Sequence, residues 1–138
     1  MTDTIELADR YVSLWNEPDP ERRRQLVAEL WTEDGAQILQ PPQEMREIAA
    51  RPGIGMSATL EARGRAELEA RTTSAYDGWV AGEGFHFRRR DNVDRIADVV
   101  KFNWEMVTPE GDVAAVGLTF LVLEPDGRIR LDYQFIES

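Results

Sequence analysis

Two segments rich in strand-forming residues carry polar side chains at every second position. The first contains Lys101, Asn103 and Glu105, and the second contains Asp132 and Gln134. Because successive side chains of a β-strand point to opposite faces, each set shares one face of a sheet. A carboxylate can move a proton, a lysine can stabilise an oxyanion, and an amide can hold a carbonyl or a water. The spacing therefore predicts a polar binding site or an acid–base site on a sheet.

Several other kinds of site lack the residues that they need. The sequence has no cysteine and one histidine, His86, so it predicts no metal centre and no thiol nucleophile. The glycines of the segment 53–56 follow no expected strand and lead into no phosphate-binding lysine. We therefore expect no metal and no cofactor. His86 is expected to be an ordinary strand residue rather than a catalytic one.

Charge and hydropathy narrow the range of partners. With 26 acidic residues against 16 basic ones, the formal net charge is -10, which disfavours nucleic acid. The arginine runs 22–24 and 88–90 are expected to be solvated or paired within the protein. No apolar run is long enough to span a bilayer, and the N-terminus does not resemble a signal peptide. A small-molecule ligand is the expected partner, with no nucleic acid and no membrane, and a cytoplasmic location is expected.

Apolar residues at helical spacing dominate the first half of the chain, and β-branched and aromatic residues dominate the second. Asp19 can cap a helix whose first turn contains Pro20. Turn sequences at 109–112 and 125–127 separate long strands, which predicts an antiparallel meander. The segment 43–63 is expected to be a loop over the pocket. The expected elements are helices over 5–15, 20–31 and 65–79, a helical turn at 44–49, and strands over 36–40, 84–91, 96–107, 113–124 and 128–136.

Helices followed by a long antiparallel sheet are typical of an α+β fold. No repeat, low-complexity tract or linker interrupts the chain, so residues 1–138 are expected to form a single domain. A long sheet twists and curls, and helices laid across its concave side leave a conical cavity. We therefore expect a ligand pocket between the helices and the sheet.

Four local motifs indicate a family. They lie at 9–16 (DRYVSLWN), 30–35 (LWTEDG), 101–106 (KFNWEM) and 127–135 (GRIRLDYQF). In these motifs the chain resembles the SnoaL-like branch of the nuclear transport factor two superfamily, and the resemblance covers nearly all of it apart from 43–63. The resemblance implies a cone-shaped α+β barrel, with three N-terminal helices packed on a curved, mostly antiparallel sheet that encloses a pocket. It implies no single reaction, because similar folds include cyclases, isomerases, hydrolases and binding modules.

The residues of ketosteroid isomerase can be placed on this chain by that resemblance. Tyr11 falls on the catalytic tyrosine. The catalytic base falls on Leu39 or Gln40, and the second acid falls on Thr119. Since neither leucine nor glutamine can take a proton from carbon near neutral pH, the isomerase mechanism is not intact.

Limonene epoxide hydrolase offers a second set of positions. By resemblance, its Arg-x-Asp pair falls on Lys101 and Asn103, and the aspartate of its last strand falls on Gln134. Each acid is here an amide, which can hold a water but cannot activate it. The hydrolase reaction is therefore not implied either.

By the same resemblance, the side chains of Lys101 and Asn103 are expected to point towards the pocket. Alternation along the strand then predicts that Glu105 points inward with them. Asp132 or Glu105 would act as the base, with Tyr11 and Lys101 as donors to an oxyanion. An alternative is that Lys101 only forms an ion pair with Glu105 or Asp132, and that the aromatic residues are core. The predicted site consists of the catalytic candidates Asp132, Tyr11 and Lys101 and the substrate-binding candidates Trp15, Trp31, Asn103, Glu105, Thr119 and Gln134.

If the polar residues of these strands face the pocket, a set of apolar residues on the same strands must lie on the outer face of the sheet. A patch of that kind is too apolar to remain in water, which predicts a homodimer through the outer sheet face. The alternative is that the two faces are inverted and that these residues are core. The set consists of Phe102, Trp104, Met106, Tyr133 and Phe135.

Three functions remain open at this point. The first is a cofactor-independent cyclase, isomerase or hydrolase that acts on a moderately apolar substrate. The second is a pocket protein that binds such a molecule without catalysis. The third is a dimeric interaction module with no enzymatic activity.

Overall fold

A computed structural model describes residues 3–41, 47–48, 51–53 and 59–137. Residues 47–48 are helical, and the rest of the helical turn expected at 44–49 lies outside the described residues. The elements in chain order are α1 (Thr4–Asn16), α2 (Pro20–Leu30), β1 (Trp31–Leu39), β2 (Leu60–Arg63), α3 (Arg65–Ala75), a π-helical segment (Tyr76–Ala81), β3 (His86–Arg89), β4 (Asp94–Ile96), β5 (Val99–Val107), β6 (Val113–Leu123) and β7 (Ile129–Ile136).

Aspartate side chains begin the first two helices. The carboxylate of Asp3 accepts hydrogen bonds from the backbone amides of Ile5 and Glu6 at 2.8 and 3.1 Å. Asp19 accepts from the amide of Glu21 at 3.0 Å, and Pro20 occupies the first turn of α2. These bonds satisfy amides that have no partner within the helix, so the predicted start of the second helix is confirmed.

The seven strands form one sheet in the order β2-β1-β7-β6-β5-β3, with β4 paired to β5. Strands β5, β6 and β7 form the predicted antiparallel meander. Only the pairing of β1 with β7 is parallel among the described strands. Three helices on a mostly antiparallel sheet confirm the predicted α+β class. None of the described helices combines the length and the apolar composition that crossing a bilayer requires.

A cluster of aromatic rings fixes α1 against the inner face of the sheet. The ring of Tyr11 lies 5.8 Å from those of Trp31 and Phe102, and all three side chains are buried. Burying side chains of this size contributes several kcal/mol through the apolar area removed from water. The cluster holds the middle of α1 at a fixed height over β1 and β5.

Strand β1 begins earlier than expected. The sequence predicts a helix to residue 31 and a strand from residue 36, but β1 follows α2 directly at Trp31. Its register against β7 shifts between Trp31 and Ala36. Gly35 allows this close packing, since a Cβ there would lie 2.6 Å from Cδ1 of Trp31. The shift lets one strand bury Trp31 and also direct later residues towards the helices.

Three short elements also differ from expectation. Residues 60–63, expected to be loop, form the edge strand β2 against β1. The long strand expected over 96–107 is interrupted at Ala97, whose φ of 50° turns the chain between β4 and β5. The third helix changes to π-helical hydrogen bonding after Ala75. Short edge strands and turns of this kind depend on neighbours distant in sequence.

Candidate functional site

The carboxyl group of Asp132 is the centre of a buried hydrogen-bond network. The hydroxyl of Tyr11 donates to its Oδ2 at 2.5 Å, and that of Thr119 donates to its Oδ1 at 2.5 Å. Nε2 of Gln37 also donates to Oδ2, at 3.0 Å. Nε2 of Gln134 donates in turn to the hydroxyl of Tyr11. These polar side chains are withdrawn from solvent, and each has its partners inside the protein.

Strand register brings the members of this network together. Asp132 on β7 lies opposite Gln37 in the parallel pair with β1. Gln134, two residues along the same face of β7, lies opposite Thr119 on β6. Tyr11 reaches the network from the buried face of α1. Four separate elements therefore fix the position of one carboxyl group.

Burial raises the pKa of Asp132, since the apolar surroundings disfavour the charged form. The hydrogen bonds from Thr119, Tyr11 and Gln37 and the charge of Arg71 act in the opposite direction. Burial also raises the pKa of Tyr11 well above its ordinary value, and the nearby Asp132 adds to this rise. Tyr11 is therefore a neutral hydroxyl at physiological pH, and Asp132 keeps its proton to higher pH than an exposed aspartate does.

Arg71 on α3 joins this network to the space under the helices. Its Nη1 donates to Oε1 of Gln37 at 3.1 Å and to the carbonyl of Leu60 at 3.5 Å. Gln37 therefore bridges Asp132 and Arg71, with its amide nitrogen on the carboxyl group and its amide oxygen on the guanidinium. Burial lowers the pKa of Arg71, while the charges of Asp132 and Glu67 oppose that change.

A cavity of about 480 Å³ lies between the inner face of the sheet, α1, α3 and the π-helical segment. Most of its wall is apolar and aromatic, and its polar groups lie where Gln37, Arg71 and Gln134 meet. Asp132 and Tyr11 are not among the lining residues, because the two glutamines separate them from the cavity. The apolar lining residues are Val12, Trp15, Leu39, Ala75, Trp79, Phe87, Trp104, Met106, Ala115 and Ile136, and Ser74 adds a hydroxyl.

A second depression, of about 660 Å³, lies at the N-terminal end of α1. Charged residues such as Asp3, Arg95 and Asp126 form most of its rim. It contains none of the buried network, and a charged cleft holds an organic small molecule less well than an apolar cavity does. We therefore assign the candidate site to the cavity beside Gln37 and Arg71.

The predicted orientation of β5 is wrong. Lys101 is exposed, and Asn103 forms hydrogen bonds with Asn92 and Glu137. Glu105 accepts hydrogen bonds from Arg88 and Arg90. None of the three is a lining residue. The correct face is set by the opposite residues of the strand, of which Phe102 enters the core and Trp104 the cavity wall. Burying those rings removes far more apolar area from water than burying the polar set would.

The ion pairs suggested for Lys101 are also not formed by the described residues. Glu105 instead accepts from Nε of Arg88 at 2.6 Å and from Nε of Arg90 at 2.9 Å. These two arginines lower the pKa of Glu105. Two members of the arginine run 88–90 are thus paired within the protein, as expected, and Arg89 is paired with Asp9. His86 is exposed at the start of β3.

The remaining site predictions divide into three groups. Trp15 and Gln134 line the cavity, and their role in substrate binding remains a prediction. Asp132, Tyr11 and Thr119 meet one another, but they lie behind the cavity wall, and their catalytic role remains a prediction. Trp31 is a core residue that packs on Tyr11 and does not line the cavity, so its assignment to substrate binding is wrong.

Two polar lining residues were missed by the sequence reasoning. Gln37 is a lone amide within the apolar run Ala36–Leu39, and Arg71 is a cation three residues after the buried Leu68 and four before Ala75. A polar residue at a position where the pattern requires an apolar one was the available signal. Neither residue forms part of a repeated polar set, so strand alternation and helical spacing do not single it out.

Helices that cover one face of a curved, mostly antiparallel sheet and leave an apolar cavity with a polar end define a cone-shaped α+β pocket fold. Solved structures of this class match the chain. A putative isomerase of the SnoaL-like family from Agrobacterium tumefaciens is 25% identical, with all of both chains covered and a TM-score of 0.78. The predicted resemblance to SnoaL-like and nuclear transport factor two-like proteins is confirmed, and the fold is theirs.

More distant structures show the same fold. A SnoaL-like protein from Burkholderia thailandensis is 15% identical over 98% of this chain and 94% of its own, with a TM-score of 0.65. A putative polyketide cyclase from Bacillus cereus is 15% identical over 97% of this chain and 74% of its own, with a TM-score of 0.64. No protein-family profile matches the sequence, and the comparison with curated proteins finds no match.

Proposed function

We propose that this protein binds a moderately apolar small molecule in the cavity beside Gln37 and Arg71. The observation that carries the proposal is the cavity itself, about 480 Å³ of mostly apolar space with polar groups gathered at one place. Ligand pockets have this size and this distribution of groups, because apolar walls supply affinity and a few polar groups fix orientation. A SnoaL-like putative isomerase and a putative polyketide cyclase share the fold, which is compatible with a small organic ligand.

Binding without catalysis is the function that the lining residues support best. Among the described lining residues there is no carboxylate and no imidazole. Leu39, one of the two positions on which the base of ketosteroid isomerase falls, contributes an apolar wall. A general base must lie within hydrogen-bond reach of the proton that it removes. Asp132 does not meet that condition in this arrangement, since Gln37 and Gln134 lie between its carboxyl group and the cavity.

A second candidate is a cofactor-independent cyclase, isomerase or hydrolase. The observation in its favour is the buried contact of Asp132 with Tyr11, because carboxyl groups whose pKa is raised by burial cluster at catalytic sites. In this case Asp132 stores the proton, and the hydroxyls of Tyr11 and Thr119, each 2.5 Å from a carboxyl oxygen, are the adjacent donors. Turnover of a bound ligand that disappears in Asp132→Asn, with binding retained, would favour this candidate over binding alone.

Binding can be tested with N-phenylnaphthylamine, an uncharged probe whose fluorescence rises in apolar surroundings. Two substitutions on β6 form a matched pair, since Ala115 lines the cavity and the neighbouring Ala114 is exposed. Ala115→Trp is expected to weaken probe binding at least about tenfold by filling the cavity, and Ala114→Trp is expected to leave it unchanged. Absence of binding to the wild type, or equal binding to both variants, would refute the proposal.

Homodimerisation through the outer sheet face remains a proposal, with a different set of residues. Phe102, Trp104 and Met106 face inward, so they do not belong to the outer face. Tyr133 and Phe135 are 37% and 45% exposed, and partly buried apolar residues surround them. A second copy is a suitable partner because the patch itself is apolar and the same surface of two copies can meet about a two-fold axis. Charged residues lie only at its border, where Lys101 is opposite Phe120 and Glu61 is opposite Ile38 among the described pairs. The surrounding residues are Ile38, Leu118, Phe120, Val122 and Leu131.

A further inference from the structure

We infer that the ligand of this cavity is an amphipathic molecule with a ring-containing apolar body and one carboxylate group, which the guanidinium of Arg71 binds. The inference rests on the proposed function and adds the chemical class of the ligand to it.

The partners described for Arg71 are neutral. Its two hydrogen bonds go to the side-chain oxygen of Gln37 and to the carbonyl of Leu60, and both come from Nη1. None of the ion pairs among the described residues includes Arg71. A guanidinium has five N–H donors in a planar fork that matches a carboxylate. Arg71 therefore lines the cavity as a cation whose described contacts leave donors for a ligand.

Gln37 fixes the direction of this cation. Its Nε2 donates to Asp132 at 3.0 Å, which turns Oε1 towards Arg71. The reversed amide would direct two donors at the guanidinium and lose both bonds. Because Gln37 is itself buried, Arg71 is held on one side by a rigid acceptor. A donor that is oriented before binding loses less conformational entropy when the ligand arrives.

The local charge at this end of the cavity is opposite to that of the whole protein. Arg71 is partly withdrawn from water, and two carboxyl groups act on its charge, Asp132 beyond Gln37 and Glu67 one turn earlier on α3. Neither forms an ion pair with Arg71: burial favours the neutral form of Asp132, and Glu67 accepts a hydrogen bond from the amide of Arg63 at 3.0 Å. A charge in apolar surroundings is costly until it is paired and hydrogen-bonded. A ligand carboxylate supplies the missing partner. Ser74, three residues after Arg71 on α3, also lines the cavity and adds a hydroxyl donor.

The rest of the wall determines the body of the ligand. The rings of Trp15, Phe87 and Trp104 form a connected series, with centroid distances of 6.3 Å and 5.8 Å. Trp79 adds a fourth ring to the lining. Aromatic walls of this kind pack well against a ring system. The expected ligand is therefore an apolar ring carboxylate rather than a polar acid such as a sugar acid.

Three probes with one ring system and different charges test this inference. Naphthylacetate is anionic, naphthylacetamide is neutral, and naphthylethylamine is cationic. Calorimetric titration of the wild-type protein at neutral pH is expected to show naphthylacetate binding at least about tenfold more tightly than the amide, which is the size of a charge-assisted hydrogen bond. The amine is expected to bind most weakly. Equal affinity for acid and amide, or a preference for the amine, would overturn the inference.

Substitutions of Arg71 assign the preference to this residue. Arg71→Gln is expected to abolish the preference for the acid while it still binds the amide and N-phenylnaphthylamine. Arg71→Lys is expected to keep part of the preference, and this variant and the wild-type probe series remain decisive if Arg71→Gln does not fold. The control is Arg63→Gln, an exposed arginine of β2 outside the cavity lining, which should behave as the wild type. An acid preference that survives in Arg71→Gln would contradict the inference.

The two proposals fail in different ways. If N-phenylnaphthylamine does not bind, the cavity is not a ligand pocket and the proposed function is wrong. If that probe binds to the wild type and binds more weakly to Ala115→Trp, but acid and amide bind equally, the cavity is a ligand pocket. In that case only the inference that the ligand is a carboxylate is wrong.

Discussion

Gln37 and Asp132 lie directly opposite each other in the parallel pair of β1 and β7, and Nε2 of Gln37 donates to the carboxyl group of Asp132 at 3.0 Å. This bond connects a fully buried acid to the wall of the cavity. The same glutamine accepts a hydrogen bond from Arg71 through its other amide atom. The state of the buried carboxyl group is therefore coupled to the orientation of the cavity's cation, which makes Asp132 the first residue to test.

Asp132→Asn is expected to lower the free energy of unfolding by about 1–3 kcal/mol near neutral pH. Tyr11, Thr119 and Gln37 all donate to the carboxyl group, and the amide nitrogen of asparagine cannot accept from one of them. Urea unfolding followed by tryptophan fluorescence measures the change. Asp91→Asn, at a fully exposed position, is the control and should change the stability by less than about 0.5 kcal/mol.

The difference in free energy of unfolding between the wild type and Asp132→Asn is expected to depend on pH, and the sign of this dependence can be predicted. Burial raises the pKa of Asp132 in the folded chain. The folded protein therefore keeps a proton that the unfolded chain releases near pH 3.9, the ordinary pKa of an aspartate. The stability that this proton contributes is complete below that pH and is lost as the pH rises through the folded-state pKa. Asp132→Asn has no such group, so its deficit against the wild type should shrink as the pH rises. A deficit that grows with pH would show that the carboxylate is the favoured form.

Tyr11→Phe is expected to destabilise the protein by about 1–3 kcal/mol while the aromatic packing of the ring is retained. The substitution removes the donor to Asp132 and the acceptor for Gln134, and it leaves two buried polar groups short of a partner. Thermal unfolding at fixed pH measures the effect. Tyr133→Phe on the outer face of β7 is the matched control, and an equal loss in both variants would show that the hydroxyl of Tyr11 contributes nothing specific.

Gly117→Ala is expected to reduce both stability and binding of the uncharged probe. The indole of Trp104 lies against Gly117, where a Cβ would come within 2.1 Å of Cζ2. The ring must therefore move, and the cavity that it lines offers space beside it. Overpacking of this kind costs about 1–3 kcal/mol. Gly78→Ala is the control, since a Cβ there meets nothing within 4 Å. Unchanged probe binding in Gly117→Ala would show that Trp104 does not shape the site.

Phe135→Asp is expected to convert a homodimer into a monomer of 15.7 kDa. Phe135 is 45% exposed and packs edge-on against Phe120, so a charge there disrupts the apolar outer face. Sedimentation equilibrium measures the mass of the particle. Ile96→Asp replaces an even more exposed apolar residue on β4 and should leave the dimer intact. A monomeric wild type would refute the dimer proposal.

The sequence by itself determined the elements whose causes are local. Asp19 and Pro20 marked the start of α2, and the turn residues separated β5, β6 and β7. Alternation along β7 placed Asp132 and Gln134 on one face, and helical spacing placed Tyr11 on the buried face of α1. Caps, turns and side-chain periodicity depend on neighbours a few residues away, so the chain carries that information directly.

Only the tertiary structure decided which of the two faces of β5 points inward and which polar residues meet. Alternation separates Lys101 from Phe102 but does not orient the strand, and the packing of Phe102 on Tyr11 makes that choice. Gln37 meets Asp132 because β1 pairs in parallel with β7, and it meets Arg71 because α3 packs beside β1. Both contacts join segments far apart in sequence. The free energy of burying aromatic area determines the orientation of the sheet, and this quantity is defined only once the helices are in place.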